Sequence, residues 1–298
     1  MTPADVNRLS IAEAADLIRR KKLSPVELTE ACLQRIGSLD ARLHAFITVT
    51  RQEALATAQQ ATSAIARGNY KGPLHGIPLA LKDLFDTASV RTTAGSRITA
   101  DRVPEEDAEA TARLKAAGAV LLGKLNMHEF AYGGTGVNPH YGATANPWDP
   151  TRISGGSSSG SGAAVATGMA LGALGTDTGG SVRIPSALCG ITGLKPTYGR
   201  VSRRGVVPLS WALDHVGPMA RTAADAALIL KAIAGHDPGD ETSSEEPVPD
   251  YAKMLEDPRL KSLRVGVPRE YFFDDVGAEV LAAVRSAIST LGELGAQV

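Results

Sequence analysis

The chain of 298 residues is poor in aromatic and in sulfur-bearing side chains. Phe, Trp and Tyr make up only 4% of it, although hydrophobic residues reach 43%. This balance is typical of helices packed closely on an aliphatic sheet, so the composition predicts an α/β fold. The two cysteines, Cys32 and Cys189, lie far apart and belong to no Cys-x-x-Cys pair. A disulfide framework and a structural zinc are therefore not expected.

The sequence also lacks long runs of one residue class. No segment approaches the roughly 18 apolar residues of a membrane span, and the N-terminus has no apolar stretch of signal-peptide length. The 31 Lys and Arg residues nearly balance the 32 Asp and Glu residues, without a long basic block. Direct nucleic-acid binding is therefore not expected. We expect a cytoplasmic protein that does not bind a membrane.

Motifs for cofactors and metals are missing as well. The six histidines show no ligand spacing, and His128-Glu129 lacks the second histidine of a metalloprotease motif. Neither a Walker A lysine nor a Gly-x-Gly-x-x-Gly turn after a strand is found. Gly156-x-Ser158-x-Gly160 fits a nucleophile elbow, but Asn-Pro-rich sequence precedes it where that motif needs a buried strand. We predict a protein without a metal or an organic cofactor.

Local patterns predict helices and strands in alternation within one large domain. Ser10 with Glu13, and Ser24 with Glu27, form capping-box patterns, and Pro25 occupies a first helical position. A long loop rich in Gly, Asn, Pro and Ser is predicted over residues 132–161. The predicted strands are 45–49, 76–83, 119–122, 172–176 and 263–267, and the later helices are 51–67, 106–117, a short one at 126–130, 161–171, 223–234 and 278–294.

The segment Ile153–Arg183 carries two serine clusters in glycine-rich loops, separated by a helix of small residues. Glycine allows positive φ and close approach to the backbone. A serine flanked by bare N–H groups can attack a carbonyl and have the resulting oxyanion stabilised. Lys82 ends an apolar strand and is a candidate base. Taken singly, Lys82 also fits a surface lysine, the first serine cluster fits a flexible loop or helix cap, and the second serine cluster fits a turn.

Together, the motifs resemble the amidase signature family. The resemblance rests on three blocks, Gly155–Ser158, Gly175–Ser181 and Cys189–Thr197, and extends to Gly76–Asp83, Asn146–Trp148 and Leu213–Pro218. It implies a mixed central β-sheet covered by helices on both faces. It also implies one domain over 1–298 that lacks its C-terminal portion, with a helical part (1–70), a catalytic core (71–220) and the start of a C-terminal part (221–298).

The resemblance implies a catalytic triad of Lys82, Ser157 and Ser181, with a cis peptide bond between Gly156 and Ser157. Neutral Lys82 would take a proton through Ser157 while Ser181 attacks the amide carbonyl. The backbone N–H groups of Thr178, Gly179, Gly180 and Ser181 are expected to form the oxyanion hole. Expected substrate contacts are Ala131, Tyr132, Gly133, Gly134, Thr135 and Ser157. Ser158, Asp177 and Arg183 are expected to support the triad, although a purely structural ion pair is an equally good reading of Arg183.

The activity implied by the family is hydrolysis of a small-molecule amide through an acyl-enzyme on Ser181. One alternative is the A subunit of a glutamine-dependent aminoacyl-tRNA amidotransferase, which releases ammonia for partner subunits. Such subunits usually carry Gln-Pro where this chain has Ile184-Pro185, and this departure argues against glutamine. Another alternative is a non-catalytic or truncated scaffold of the same fold. The expected protein partner is a second copy of the chain, or B and C subunits in the amidotransferase case.

Overall fold

The computed structural model describes residues 6–255 and 260–298. The chain divides into two compact units, one that reaches Tyr251 and one from Ala252 to Val298. The divisions that we predicted at residues 70 and 220 stay predictions. Within the described ranges, no helix is both long enough and apolar enough to cross a membrane.

Helices and strands follow one another along the chain, and those from Leu260 onward lie in the second unit. The helices are α1 (Ile11–Arg19), α2 (Pro25–Leu43), α3 (Arg51–Ala66), α4 (Glu109–Ala116), α5 (Ser159–Ala166), α6 (Arg183–Cys189), α7 (Ala223–Ile233), α8 (Tyr251–Met254) and α9 (Ala278–Glu293), with 3-10 turns at Glu129–Ala131 and Leu260–Ser262. The strands are β1 (Phe46–Val49), β2 (Pro78–Lys82), β3 (Val120–Leu125), β4 (Gly172–Asp177), β5 (Thr192–Gly193) and β6 (His215–Ala220).

Local signals fix where α1 and α2 begin. Ser10 Oγ accepts a hydrogen bond from the Glu13 N–H, and the Glu13 carboxylate accepts one from the Ser10 N–H. Ser24 and Glu27 make the same reciprocal pair before α2, where Pro25 lacks the N–H that would otherwise be unsatisfied. Both predicted capping boxes are confirmed.

The six strands form one mixed sheet in the order β1-β3-β2-β4-β6-β5. The central strands β3, β2 and β4 are parallel, whereas β1, β6 and β5 pair antiparallel to their neighbours. All five residues of β2 are buried, because β2 lies between two strands in the middle of the sheet. The predicted mixed α/β architecture is confirmed.

Helices cover both faces of the sheet. On one face, a Cβ added to Gly172 of β4 would lie 2.7 Å from Ile229 Cδ1 of α7 and 3.2 Å from Ile11 Cδ1 of α1. On the other face, a Cβ added to Gly175 would lie 2.6 Å from the Ser158 Oγ, just before α5. Small residues in β4 therefore let helices approach closely from both sides.

Several elements differ from the sequence predictions. The strand predicted at 263–267 is wrong, because only Arg264 forms a bridge there, to Gln297, within the second unit. The helix predicted at 161–171 begins two residues earlier and ends at Ala166. Strand β6 and helix α6 were not predicted. Pro218 argues against a strand at β6, because proline has no N–H to donate within a sheet. Its carbonyl nevertheless accepts a hydrogen bond from the Leu194 N–H.

Candidate active site

Lys82 ends β2 and its side chain is fully buried. Its Nζ donates hydrogen bonds to the Ser157 Oγ at 2.6 Å and to the Thr176 Oγ1 at 2.8 Å. Burial disfavours the ammonium form and lowers the pKa of Lys82 to about 7, while Asp214 and Asp177 oppose this shift by their charge. The side chain can therefore lose its proton near neutral pH and act as a base.

Ser157 lies in the loop before α5, and its peptide bond to Gly156 is cis. The Ser157 carbonyl accepts a hydrogen bond from the His128 N–H at 3.1 Å, and the Gly156 N–H donates one to the Gly134 carbonyl at 2.8 Å. A Cβ on Gly156 would lie 2.7 Å from the Gly136 nitrogen, so glycine lets the two loops meet. This contact brings the segment 131–135 beside Ser157.

Ser158 holds the first serine cluster against β4. Its Oγ is 3.3 Å from both the N–H nitrogen and the carbonyl oxygen of Thr176, and its own N–H donates to the Ser181 carbonyl at 3.2 Å. The two serine clusters are therefore in direct contact, although 24 residues separate Ser157 from Ser181 in the sequence (181 − 157). The supporting role expected for Ser158 stays a prediction.

Asp177 organises the turn that carries Ser181. Its carboxylate accepts hydrogen bonds from the Val182 N–H at 3.1 Å and from the Arg183 guanidinium at 2.9 and 3.0 Å. Burial alone would raise the pKa of Asp177, but these hydrogen bonds outweigh it and lower the pKa. The carboxylate thus stays ionised at the N-terminal end of α6. Arg183 is the partner of a structural ion pair here, and its side chain is partly exposed.

The turn between β4 and α6 presents bare backbone donors. Gly180 has a φ of +138°, which residues with a side chain rarely adopt. The exposed fraction of Ser181 is 9%. No described residue accepts a hydrogen bond from the N–H groups of Gly179, Gly180 or Ser181. The Thr178 hydroxyl donates to the Asp214 carboxylate at 2.6 Å and fixes the start of the turn. Free N–H groups beside a serine can bind an oxyanion.

The segment 131–135 follows a tight turn in which Phe130 and Ala131 both have positive φ. Ala131 is buried, whereas the Tyr132 side chain is 80% exposed. The His128 ring lies under Gly133, where an added Cβ would collide with it, and its Nδ1 is 3.4 Å from the Thr135 Oγ1. The predicted substrate contacts therefore lie next to Ser157, although their role stays a prediction.

Comparison with known proteins agrees with this arrangement. Residues 27–298 match the model of a protein family described as Amidase. The chain belongs to the amidase family. It is 53% identical over 97% of its length to the A subunit of glutamyl-tRNA(Gln) amidotransferase from Moorella thermoacetica, and 51% identical over 98% to that of a Roseiflexus species. The chain spans only 59% and 60% of those two relatives.

Solved structures of amidases share the fold. The peptide amidase of Stenotrophomonas maltophilia superimposes with a TM-score of 0.91 at 39% identity, over 98% of this chain and 61% of that one. The A subunit of glutamyl-tRNA(Gln) amidotransferase from Thermotoga maritima gives a TM-score of 0.85 at 36% identity, over 99% and 61%. A protein named as a peptide amidase and one named as an amidotransferase A subunit therefore share this arrangement of strands and helices.

Three residues of this candidate site were missed by sequence reasoning. Thr176 binds Lys82, Asp214 anchors Thr178, and His128 supports the segment 131–135. Thr176 lies within the block Gly175–Ser181, and Asp214 within Leu213–Pro218, so the motifs contained both. A hydroxyl at the end of a strand of small and apolar residues was the available signal for Thr176.

A cavity of about 250 Å³ adjoins the candidate site at Thr176. Its walls include Arg203, Trp211, Asp214 and His215.

Among residues 6–255 and 260–298, no three His, Cys, Asp or Glu side chains lie together as metal ligands. The two cysteines, Cys32 and Cys189, are buried and unpaired.

Proposed function

We propose that the chain carries the catalytic machinery of an amidase that hydrolyses a carboxamide to a carboxylic acid and ammonia or an amine. One observation carries the proposal: Lys82 is fully buried, bonded to two hydroxyl groups, and has a pKa of about 7. A solvated surface lysine has a pKa of about 10.4 and cannot serve as a base at neutral pH. A buried lysine that faces serines is suited to activating one of them.

The proposed reaction moves one proton along Ser181, Ser157 and Lys82. Neutral Lys82 accepts the Ser157 proton as Ser157 accepts that of Ser181, whose Oγ then bonds to the amide carbon. The backbone N–H groups of Thr178, Gly179, Gly180 and Ser181 are proposed to bind the oxyanion, and losing one such donor raises a barrier by about 2.7 to 4 kcal/mol. The proton returns through Ser157 to the leaving nitrogen as the C–N bond breaks. Water then cleaves the acyl-enzyme by the same relay.

The A subunit of an amidotransferase is the second candidate. Relatives of that name are 53% and 51% identical to this chain, and this observation favours it. In that case glutamine would be the amide, and B and C subunits would be partners. Ile184, where such subunits usually carry glutamine, favours the first candidate. A cytoplasmic location and a homodimer stay predictions.

The test is hydrolysis of an amide panel, including glutamine, by residues 1–298. We expect turnover of a simple amide, with Ser181→Ala and Lys82→Ala at background. Ser289→Ala, in the second unit, is the matched serine control. Glutaminase activity that needs added B and C subunits, with no turnover of simple amides, would support the second candidate. A cooperatively folded chain without any hydrolysis would indicate the non-catalytic scaffold.

A further inference from the structure

Ile184 occupies a central position at the candidate site. It is the second residue of α6 and its side chain is 37% exposed. Its Cδ1 lies 2.8 Å from where a Cβ on Gly180 would be and 3.9 Å from where one on Gly134 would be. Its Cγ2 lies 3.1 Å from the corresponding point on Gly155. One aliphatic side chain thus lies close to three glycines, each from a different loop.

Each of these glycines belongs to a different part of the site. Gly180 lies in the turn with the free N–H groups, Gly134 in the segment beside Ser157, and Gly155 directly before Gly156. Because glycine has no side chain, Ile184 supplies the apolar surface between these loops. A Cβ on Gly179 would meet no atom within 4 Å, so the turn beside this surface has open space.

The apolar surface continues along α6. Leu188 lies four residues after Ile184 and is 43% exposed, and its Cδ1 lies 3.1 Å from a Cβ on Gly155. Residues four apart share one face of a helix, about 6 Å apart along its axis. Arg183, the charged residue at the start of α6, pairs with Asp177. Ile184 and Leu188 therefore form an apolar surface of two residues that extends away from Ser181.

We propose that Ile184 determines acyl specificity and that the preferred substrate has an apolar acyl group extending from Ser181 toward Leu188. This inference rests on the proposed function and names the substrate class for it. An acyl group with a polar tip, such as that of glutamine, would give up its hydrogen bonds to water and find none at Ile184. An apolar surface discriminates moderately against such a group, by about 10- to 100-fold, because the polar atoms gain no partner there.

The experiment compares two anilides of equal length, one with a methyl-terminated acyl chain and one whose chain ends in a carboxamide. We expect the ratio of their kcat/KM values to favour the methyl-terminated anilide by about 10- to 100-fold. Ile184→Gln should reduce this ratio at least tenfold, and Ile184→Val should keep it. Ile98→Gln is the matched control, because Ile98 is 84% exposed on another loop.

A second readout does not need turnover. Two fluorophosphonates with the same pair of tails are reacted with the chain, and the labelled residue and its rate are measured by mass spectrometry. A rate preference for the apolar tail, reversed or abolished by Ile184→Gln, supports the inference. Equal rates with Ser181 labelled overturn the inference but leave the nucleophile intact. No labelling at Ser181 by either reagent overturns both proposals.

Discussion

Two lysines are buried side by side in the middle of the sheet, and only one of them faces the candidate site. Lys82 ends β2, and Lys124 on β3 pairs with Leu81, the residue before it. Since successive side chains of a strand alternate, the two lysines project to opposite faces. Lys82 is bonded to the hydroxyls of Ser157 and Thr176. Lys124 donates to the Phe85 carbonyl and the Thr92 hydroxyl.

The difference between them is a carboxylate. The Lys124 Nζ lies 3.7 Å from Asp83 Oδ1, and both side chains are almost completely buried. Burial lowers the pKa of Lys124 to about 8, and the negative charge of Asp83 limits the shift. Asp83 in turn accepts a hydrogen bond from the Thr93 N–H at 2.9 Å. The carboxylate of Asp83 favours the ammonium form of Lys124, whereas the groups that accept hydrogen bonds from Lys82 are neutral hydroxyls.

The largest effect on activity is expected where Lys82 is removed. Lys82→Met should lower kcat/KM by about 10⁴-fold or more, because the proposed relay loses its base. Its melting temperature should not fall, since no buried carboxylate loses a partner and the cost of burying the amine is removed. Hydrolysis rate and thermal unfolding, measured on one preparation, check both parts. Retained hydrolysis by this variant would remove Lys82 from the mechanism.

The reverse pattern is expected for the other lysine. Lys124→Met leaves Asp83 as a buried carboxylate without its cation, which should lower the free energy of unfolding by about 3 to 5 kcal/mol. The activity per folded molecule should stay within about tenfold of that of the parent chain. Denaturant unfolding of Lys124→Met, Asp83→Asn and the double variant measures the coupling. Additive effects would show that the two side chains do not act as a pair.

The pH dependence of rate and of stability tests the lowered pKa of Lys82. Proposed catalysis needs neutral Lys82, so kcat/KM should rise with pH through about 7 and then level off. The unfolded chain keeps its lysine protons up to about pH 10.4. Between the folded pKa and that value the unfolded state binds more protons, so the free energy of unfolding rises with pH in this window. The slope should be smaller in Lys82→Met, and an unchanged slope would contradict the lowered pKa.

Local patterns in the sequence sufficed for much of the fold. The capping boxes of α1 and α2 depend on residues three apart, and the apolar run of β2 identifies a buried strand by itself. The site could be assembled only through the resemblance, because Lys82 and Ser157 lie 75 residues apart. Nothing local indicates that two such residues are in contact.

What could not be predicted depends on long-range contacts. Thr176 binds a lysine 94 residues away, and the burial of Lys124 depends on its pairing with Asp83. Strand β6 is stabilised by pairing with β4 and β5 despite Pro218. The strand predicted at 263–267 shows the opposite case, since an apolar run without paired neighbours forms only a bridge.

The smallest effect is expected at Thr176, and it tests whether this neutral hydroxyl affects the pKa of Lys82. Thr176→Val removes the oxygen that accepts a hydrogen bond from the Lys82 Nζ at 2.8 Å while keeping the shape of the side chain. The ammonium form loses more than the neutral amine, because it has more N–H donors to satisfy. The pKa of Lys82 should therefore fall further, and the rising limb of kcat/KM should move to lower pH. A rate loss of about tenfold is expected from poorer positioning of Nζ, roughly 1.4 kcal/mol. Thr176→Ser should restore both the rate and the position of the limb, which a general loss of packing would not allow.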